Sequence, residues 1–208
     1  MSRPGGGGSG DGRERPSFEM LGEEVVHRGW VIDVTRATFS SPDGTVFERD
    51  VVRHPGAVAV VAVTDAGSVV LVHQYRPALD QWLWEIPAGT RDVEGEPEPA
   101  VARRELAEEV GWAASRLTLL TRCAITPGFC DERSTVYLAT GLTRVALDRQ
   151  GIEERHMEIE EVPLDRFDSM VDDGTIIDAT TILGVGLARR QLVGGEPRAG
   201  RGRLAGDR

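Results

Sequence analysis

Residues 103–112 read RRELAEEVGW, and this short segment predicts the central helix of the fold. Ala102, Leu106 and Val110 recur every four positions, which is the spacing of a helix with one face in the core. Gly111 follows directly and is a suitable C-terminal cap. The upstream prolines suit a first helical turn. The segment therefore indicates a helix that begins near Pro97 and ends at Val110.

Three glutamates, Glu105, Glu108 and Glu109, crowd the helix surface beside this apolar face. Like charges three or four residues apart destabilise a helix by roughly 0.2–0.5 kcal/mol per pair. One interpretation is a solvated acidic face, in which Arg104 pairs with Glu108 and offsets part of the repulsion. The other is a divalent-metal site, because hard cations bind clusters of carboxylate oxygens. A glycine loop and Glu96 lie just upstream and favour the metal site.

The order of the remaining elements predicts an α+β fold with a mixed sheet, since strands come first and helices return at the end. We interpret residues 18–53 as a small N-terminal antiparallel β piece and residues 54–193 as the main domain. The glycine-rich segments 1–17 and 194–208 are expected to be disordered tails.

Three β-like patterns support this division. EVVHRGWVIDV (24–34) and TVFERDVV (45–52) read as β-like runs around the turn formers Ser41–Gly44. The apolar runs that flank Asp65-Ala66-Gly67 predict a hairpin. The first of these runs, 57–63, is almost entirely valine and alanine, which indicates a strand covered on both faces.

Composition excludes several classes of protein. The 208 residues carry a net charge of −10, which argues against broad binding to nucleic acid. No apolar run approaches the roughly 18 residues of a membrane span. The start has no apolar core and is therefore no signal peptide, so we expect a cytoplasmic location. Cys123 and Cys130 lack zinc spacing and are expected to be free thiols.

The glutamate helix and the loop before it carry a family resemblance. Gly89, Glu96 and the segment from Arg104 to Gly111 resemble the Nudix box, G-x5-E-x7-R-E-U-x-E-E-x-G-U, in which U is apolar. There are two departures from the pattern. Six residues rather than five separate Gly89 from Glu96, and the final apolar position is the bulky Trp112. The resemblance implies an α/β/α sandwich around a mixed sheet and hydrolysis of a nucleoside diphosphate linked to another group.

The resemblance also implies a metal site. Glu105 and Glu109 match the family's ligands for divalent metal, with help from Glu108 and a backbone carbonyl of Ala88 or the next residue. The upstream glutamate of the box would support the site. Arg104 would orient the carboxylates, so Arg104 and Glu108 are grouped with the catalytic residues. Two or three Mg²⁺ or Mn²⁺ ions would bridge phosphate oxygens and activate water.

A further resemblance concerns the substrate. Pro127 lies sixteen residues past Gly111, which is typical of the ADP-ribose pyrophosphatase branch of the family, particularly of its actinobacterial type. FERDVVRHPGAVAVVA and QYRPALDQWLWEIPAG also resemble that branch, so the likeness spans about residues 20–192. Arg49 and Arg76 lie in these stretches and are the expected phosphate or ribose ligands. The alternatives are that Pro127 only makes a turn and that the arginines are ordinary surface residues.

The general base is expected on the polar loop DRQGIEERHM (148–157). The resemblance matches it best to Glu154, with Glu153 next. His156 is a weaker alternative because its side chain titrates near neutral pH.

The branch implies a domain-swapped homodimer in which residues 18–53 form the exchanged arm. Trp30 lies in this arm and is expected either to stack on the adenine or to pack in the dimer interface. The predicted reaction is ADP-ribose plus water giving AMP and ribose 5-phosphate. The alternatives are hydrolysis of other nucleoside diphosphate sugars or of oxidised nucleotides, and a non-catalytic domain that senses a nucleotide.

Overall fold

The computed structural model describes residues 16–149, 151–152 and 154–194. In chain order the elements are β1 (Glu19–Arg28), β2 (Asp33–Ser40), β3 (Val46–Arg53), β4 (Ala57–Ala62), β5 (Ser68–Arg76), β6 (Gln81–Glu85), β7 (Ala88–Thr90), α1 (Glu98–Val110), β8 (Trp112–Ala124), β9 (Arg133–Arg144), β10 (Glu158–Pro163), α2 (Phe167–Asp172) and α3 (Ala179–Val193). A single 3₁₀ turn, Glu154–His156, precedes β10. The predicted tails lie almost wholly outside the described residues.

The first three strands form a separate antiparallel sheet in the order β1-β2-β3, as predicted for the N-terminal piece. Asp43 stabilises the turn between β2 and β3, where its Oδ1 accepts from Thr45 N at 3.1 Å. The interpretation of 24–34 as one β-like run was wrong, because the chain reverses at Gly29, whose N donates to Ile32 O at 2.8 Å. Apolar residues continue through this turn, so their pattern does not reveal the break. The division of the chain at residue 53 stays a prediction.

The main domain contains a mixed sheet in the order β7-β4-β9-β8. Its inner strand β4 runs parallel to β9 and antiparallel to β7. Residues 58–62 of β4 are completely buried, as the valine and alanine run predicted. A strand covered on both faces needs apolar side chains on both, and that requirement explains the composition of β4.

The predicted hairpin between β4 and β5 was wrong in its pairing. The turn forms, since Gly67 N donates to Thr64 O at 2.9 Å, but only one bridge, Val63 to Val69, follows it among the described residues. The strands then diverge, and β5 joins a second sheet in the order β10-β5-β6. The turn residues determine the reversal of the chain, whereas the packing of the two sheets determines which strand pairs with which.

Helices cover the mixed sheet on both faces, which confirms the α/β/α sandwich. Val58 and Val60 of β4 pack with α1, whereas Val61 packs with α2 and α3. Helix α1 begins after Pro97 and ends where Gly111 adopts a left-handed φ of 68°. Within the part of the chain that the structure describes, no helix is long and apolar enough to cross a membrane.

Candidate active site

Helix α1 places two of its glutamates in the protein interior. Glu105 is 7% exposed and Glu109 is 4% exposed, whereas Glu108 is half-buried. Glu109 Oε2 accepts a hydrogen bond from the backbone N of Ala88 at 3.0 Å. The short strand β7 therefore lies directly against the acidic face of α1.

Gly89 makes this close approach possible. A β-carbon at position 89 would lie 2.0 Å from Oε1 of Glu105, a distance that no real contact permits. The Glu105 carboxylate therefore occupies the space where any larger residue would place its side chain. This contact explains why the sequence has glycine at the start of the box.

Arg104 forms ion pairs with three carboxylates of the box. Its Nη1 lies 2.8 Å from Glu105 Oε1 and 3.2 Å from Glu108 Oε2, and its Nη2 lies 3.3 Å from Glu96 Oε2. The extra residue of the loop does not prevent this contact. The loop turns at Gly95, whose φ is 78°, and the side chain of Glu96 still reaches Arg104 on α1.

Burial makes the two inner glutamates weaker acids than usual. It raises the pKa of Glu105 to about 7, an effect that the Arg104 guanidinium opposes and the charges of Glu108 and Glu154 reinforce. Burial likewise raises the pKa of Glu109 to about 8, with the charge of Glu105 as the next cause. Two carboxylates this close are costly to ionise together unless a cation neutralises them.

This donor set fits a divalent metal. Carboxylate oxygens are the ligands that hard cations prefer, and the charge of the cation would remove the repulsion that raises both pKa values. Among the described residues, no three histidine, cysteine, aspartate or glutamate side chains already converge as an ion would require. Arg104 and the Ala88 amide hold the carboxylates instead, so Glu105 and Glu109 would turn from these partners toward an ion. Ligation by Glu105, Glu108, Glu109 and the Ala88 carbonyl stays a prediction.

The glutamates line a cleft of about 550 Å³, which also contains Arg76 and Glu154. Glu154 stands at the start of the 3₁₀ turn, and its charge contributes to the raised pKa of both inner glutamates. His156 is exposed and does not line the cleft. Glu153 lies outside the described residues. The structure thus brings the first-choice base together with the expected metal ligands.

Arg76 is held in place by a residue that sequence reasoning missed. Its Nε donates to Glu85 Oε1 at 2.8 Å, and its Nη2 also contacts that carboxylate. Gln74 donates to Glu85 Oε2 at 3.1 Å. Glu85 is 5% exposed, so these partners satisfy a buried charge. The sequence does carry a signal for this residue, because Glu85 is the single acidic residue in the otherwise apolar segment WLWEI (82–86).

A second cavity of about 380 Å³ adjoins the cleft and shares the wall formed by Arg76 and residues 88–90. Its wall is partly apolar, with Leu79 and Leu83 among the lining residues. Its other polar lining residues are His54, Glu85, Glu132, Ser134, Asp178 and Thr180.

The structure does not bring every expected substrate ligand to the glutamates. Arg49 and Pro127 line a different cleft, of about 510 Å³, beside the N-terminal sheet. Arg49 Nη1 donates to Glu48 O at 2.7 Å. Trp30 is fully exposed at the turn between β1 and β2, although the next residue, Val31, lines the glutamate cleft. Within one chain, Arg49 and Pro127 are therefore separate from the acidic cluster.

Known proteins resemble this chain over most of its length. Residues 53–181 match the family model described as NUDIX domain. The chain is 41% identical to the ADP-ribose pyrophosphatase of Mycobacterium tuberculosis (strain ATCC 25618 / H37Rv) over 168 residues, which cover 81% of each protein. It is 39% identical to the ADP-ribose pyrophosphatase of Bacillus subtilis (strain 168) over 163 residues, which cover 78% of this chain and 88% of the relative.

The fold has a similar relative among solved structures. A crystal structure of ADP compounds hydrolase superposes with a TM-score of 0.74 and 24% identity, covering 89% of this chain and 98% of the other. That likeness supports the fold alone. The family match and the two pyrophosphatases confirm what the box residues indicated: the chain belongs to the NUDIX family.

Proposed function

We propose that the protein is a metal-dependent hydrolase that converts ADP-ribose and water to AMP and ribose 5-phosphate. The observation that carries the proposal is the buried pair Glu105 and Glu109, which faces Arg76 and Glu154 across one cleft. The likeness of the chain to two ADP-ribose pyrophosphatases supports the choice of ADP-ribose as the substrate. The oxygen of water bonds to one phosphorus, the P–O–P bond breaks, and the leaving phosphate keeps the bridging oxygen.

Nudix hydrolases generally use a divalent metal, and we propose two or three Mg²⁺ or Mn²⁺ ions here. Glu105, Glu109 and Glu108 would hold them with the Ala88 carbonyl. When bound, the metal neutralises phosphate charge and lowers the pKa of water. Arg104 would orient the carboxylates, as the partners of metal ligands generally do.

Two residues of the cleft have proposed roles in the reaction itself. Glu154 would accept the proton of the attacking water, because it is a carboxylate outside the metal helix that faces the same cleft. Arg76 would bind a phosphate, and its bidentate pairing with Glu85 fixes the direction of the guanidinium.

The more distant predicted residues are consistent with a homodimer. Arg49 and Trp30 would reach substrate if the sheet of residues 18–53 were exchanged with a second copy, whereas contact of Pro127 with substrate stays a prediction from the sequence. The fully exposed Trp30 supports this arrangement, since it has no cover within the described chain. Stacking of Trp30 on adenine and a cytoplasmic location stay predictions from the sequence.

The test is a panel of substrates assayed with Mg²⁺: ADP-ribose, other nucleoside diphosphate sugars including GDP-mannose, and an oxidised purine nucleotide. We expect the highest kcat/KM for ADP-ribose. A preference for another sugar nucleotide would favour the alternative substrate class within the family. Nucleotide binding without any metal-dependent hydrolysis would instead favour a sensor domain.

Substitutions of single glutamates test the roles proposed for the metal ligands and for the general base. Glu109→Gln is expected to abolish turnover without unfolding the protein, and Glu154→Gln is expected to lower kcat about 10²- to 10⁴-fold. Glu94→Gln is the control, because Glu94 is exposed on the loop before α1. Equal activity of Glu109→Gln and the parent would show that the metal ligands are wrongly assigned. An unchanged kcat for Glu154→Gln would place the base elsewhere.

A further inference from the structure

The side chain of Arg149 is half-buried in a segment whose preceding side chains are exposed. Residues 145–148, which follow β9, are all exposed, and they include Val145 at 42% and Leu147 at 51% exposure. Arginine ordinarily stays in water, whereas valine and leucine are ordinarily covered. The reversed pattern indicates that the contacts of the guanidinium determine how this segment lies against the protein.

The guanidinium of Arg149 bridges two backbone carbonyls. Its Nε donates to Glu109 O at 3.3 Å, and its Nη1 donates to Met157 O at 2.9 Å. Glu109 lies in the last turn of α1, where carbonyl groups have no amide partner within the helix. Met157 directly precedes β10 and is 5% exposed, in the core cluster that also contains Leu106. One side chain therefore joins the end of α1 to the start of β10.

The electrostatics of α1 favour a cation at this place. The C-terminal end of a helix carries partial negative charge and is stabilised by nearby cations. Helix α1, which the structure describes in full, has no basic residue in its last turn, and Glu108 and Glu109 add negative charge there. Arg149 supplies a cation from outside the helix, and its planar guanidinium donates to both carbonyls at once.

The same bridge reaches the turn that carries Glu154. Met157 N donates to Glu154 O at 3.2 Å, while Met157 O accepts from Arg149. The 3₁₀ turn Glu154–His156 is thus hydrogen-bonded to the residue that Arg149 holds. Glu154 lines the cleft together with the two inner glutamates of α1. The place of Glu154 relative to these glutamates therefore depends on where Arg149 fixes Met157.

We propose that Arg149 is a positioning residue for the reaction, which ties the turn of Glu154 to the C-terminal end of α1 and so holds the base in register with the metal ligands. A base works only within hydrogen-bond reach of the water that it deprotonates. Arg149 does not line the glutamate cleft, so it acts through Glu154 and not on the substrate. The inference rests on the proposed hydrolysis with Glu154 as the base.

The first test compares the kinetics of the parent and of Arg149→Ala, as full chains with Mg²⁺ and ADP-ribose. Arg149→Ala is expected to lower kcat about 10- to 100-fold, because a shift of about 1 Å in a reacting group can cost that much. KM should change by less than about twofold, since the residues that bind substrate keep their places. Arg155→Ala is the matched control, because it removes the same charge from an exposed residue of the Glu154 turn and should retain the parent's kcat.

A double-mutant cycle separates positioning of the base from a general loss of structure. In the Glu154→Gln background no base is left to misplace, so Arg149→Ala should lower kcat by less than about twofold further. A defect of Arg149→Ala that multiplies with that of Glu154→Gln would overturn the inference. A kcat for Arg149→Ala equal to that of the parent would overturn it as well.

A disturbed metal site is the rival explanation, because Arg149 also contacts the backbone of Glu109. The Mg²⁺ concentration for half-maximal rate is expected to change by less than about threefold in Arg149→Ala. A larger rise, of the size that follows the loss of support for a metal ligand, would assign Arg149 to the metal helix and overturn the inference.

Arg149→Lys takes the place of Arg149→Ala in the cycle if the alanine variant does not fold. Lysine keeps a cation at the end of α1 but lacks the planar fork that donates in two directions, so kcat is still expected to fall. The fall should again disappear in the Glu154→Gln background. A parent-level kcat for Arg149→Lys, or effects that multiply, would overturn the inference.

Failure of the proposed function gives a different result. A parent that prefers another nucleoside diphosphate sugar would change the proposed substrate, and the same cycle would then be measured with that sugar nucleotide. An unchanged kcat for Glu154→Gln alone would overturn the inference about Arg149 but leave the metal-dependent hydrolysis in place. A parent that hydrolyses none of these substrates would overturn both.

Discussion

At the scale of single residues, the absence of a side chain at Gly89 leaves room for the carboxylate of Glu105. The carboxylate fills the space of the missing β-carbon and still reaches Arg104 at 2.8 Å. The backbone of Gly89 is not in the left-handed region, so alanine would cause no backbone strain there. The contact with Glu105 alone accounts for the glycine.

Gly89→Ala is therefore expected to displace Glu105 and weaken metal binding without unfolding the domain. The Mg²⁺ concentration for half-maximal rate should rise roughly 10- to 100-fold, the usual effect of disturbing the support of a metal ligand. Gly22→Ala is the control, because open space surrounds that position on β1. An unchanged Mg²⁺ requirement would contradict the proposal that the contact with Gly89 positions Glu105 for the metal.

At the scale of elements, α3 braces the segment that carries Gly89. Thr181 is fully buried, and its Oγ1 accepts from Ile86 N at 2.9 Å. Two residues further on, Ala88 N donates to Glu109. Residues 86–88 are therefore hydrogen-bonded at one end to the start of α3 and at the other end to the acidic face of α1.

Two glycines of α3 provide a matched pair for testing this packing. Gly186 faces open space, so Gly186→Ala should stabilise the protein by about 0.5–1 kcal/mol through helix propensity. At Gly184 a β-carbon would lie 3.0 Å from Val61 Cγ2 and 3.1 Å from Ile86 Cδ1. Overpacking of about 1–3 kcal/mol should offset the helix gain there.

Unfolding in denaturant measures both free energies. We expect Gly184→Ala to be clearly less stable than Gly186→Ala. Equal stability of the two variants would mean that α3 can shift away from the sheet without cost.

At the scale of the whole molecule, the buried glutamates couple stability to pH. Their folded pKa values are about 7 for Glu105 and about 8 for Glu109, both above the ordinary value of 4.5. Between pH 4.5 and 8 the folded, metal-free protein retains protons that the unfolded chain has released. The contribution of these groups to the free energy of unfolding therefore falls as pH rises through this window and is constant above it.

We predict that Mg²⁺ stabilises the protein more at high pH, because binding requires ionised carboxylates. Thermal unfolding from pH 5 to 9, with Mg²⁺ and with a chelator, measures the effect. Glu109→Gln should lose less stability than the parent over this range when metal is absent. The same pH dependence in parent and variant would contradict the role of Glu109.

The N-terminal sheet carries apolar side chains that no second layer of the described chain covers. Phe18 is 64% exposed, Leu21 is 53% exposed and Val26 is 46% exposed. Such clusters on a surface commonly mark protein–protein contacts. They support the proposed homodimer, in which these residues would be buried against a second copy.

Leu21→Asp is accordingly expected to weaken dimerisation, and sedimentation equilibrium would then show a smaller mass than for the parent. Activity should become dependent on protein concentration if the partner completes the site. Glu24→Asp, on the same strand, keeps the charge and serves as the control. A parent that sediments as a monomer at all concentrations would contradict the proposal.

The sequence by itself determined the helix α1, its ends and the spacing of its glutamates. These features depend on contacts within four residues and on the caps Pro97 and Gly111, so local rules suffice to predict them. The box residues likewise indicate the family, because their spacing is a property of the chain itself and needs no knowledge of how the strands pair. The fully buried strand β4 was predictable because its composition directly reflects cover on both faces.

Only the tertiary structure decided which strands pair and which polar groups meet. β4 and β5 share a turn but belong to different sheets, since burial of two apolar faces outweighs local pairing. Glu85 and Arg76 meet across paired strands, and Ser134 faces a cavity closed by α3. Such contacts join residues distant in the chain, so no local pattern encodes them. The candidate metal cluster was thus readable from the sequence, whereas the cavity beside it was not.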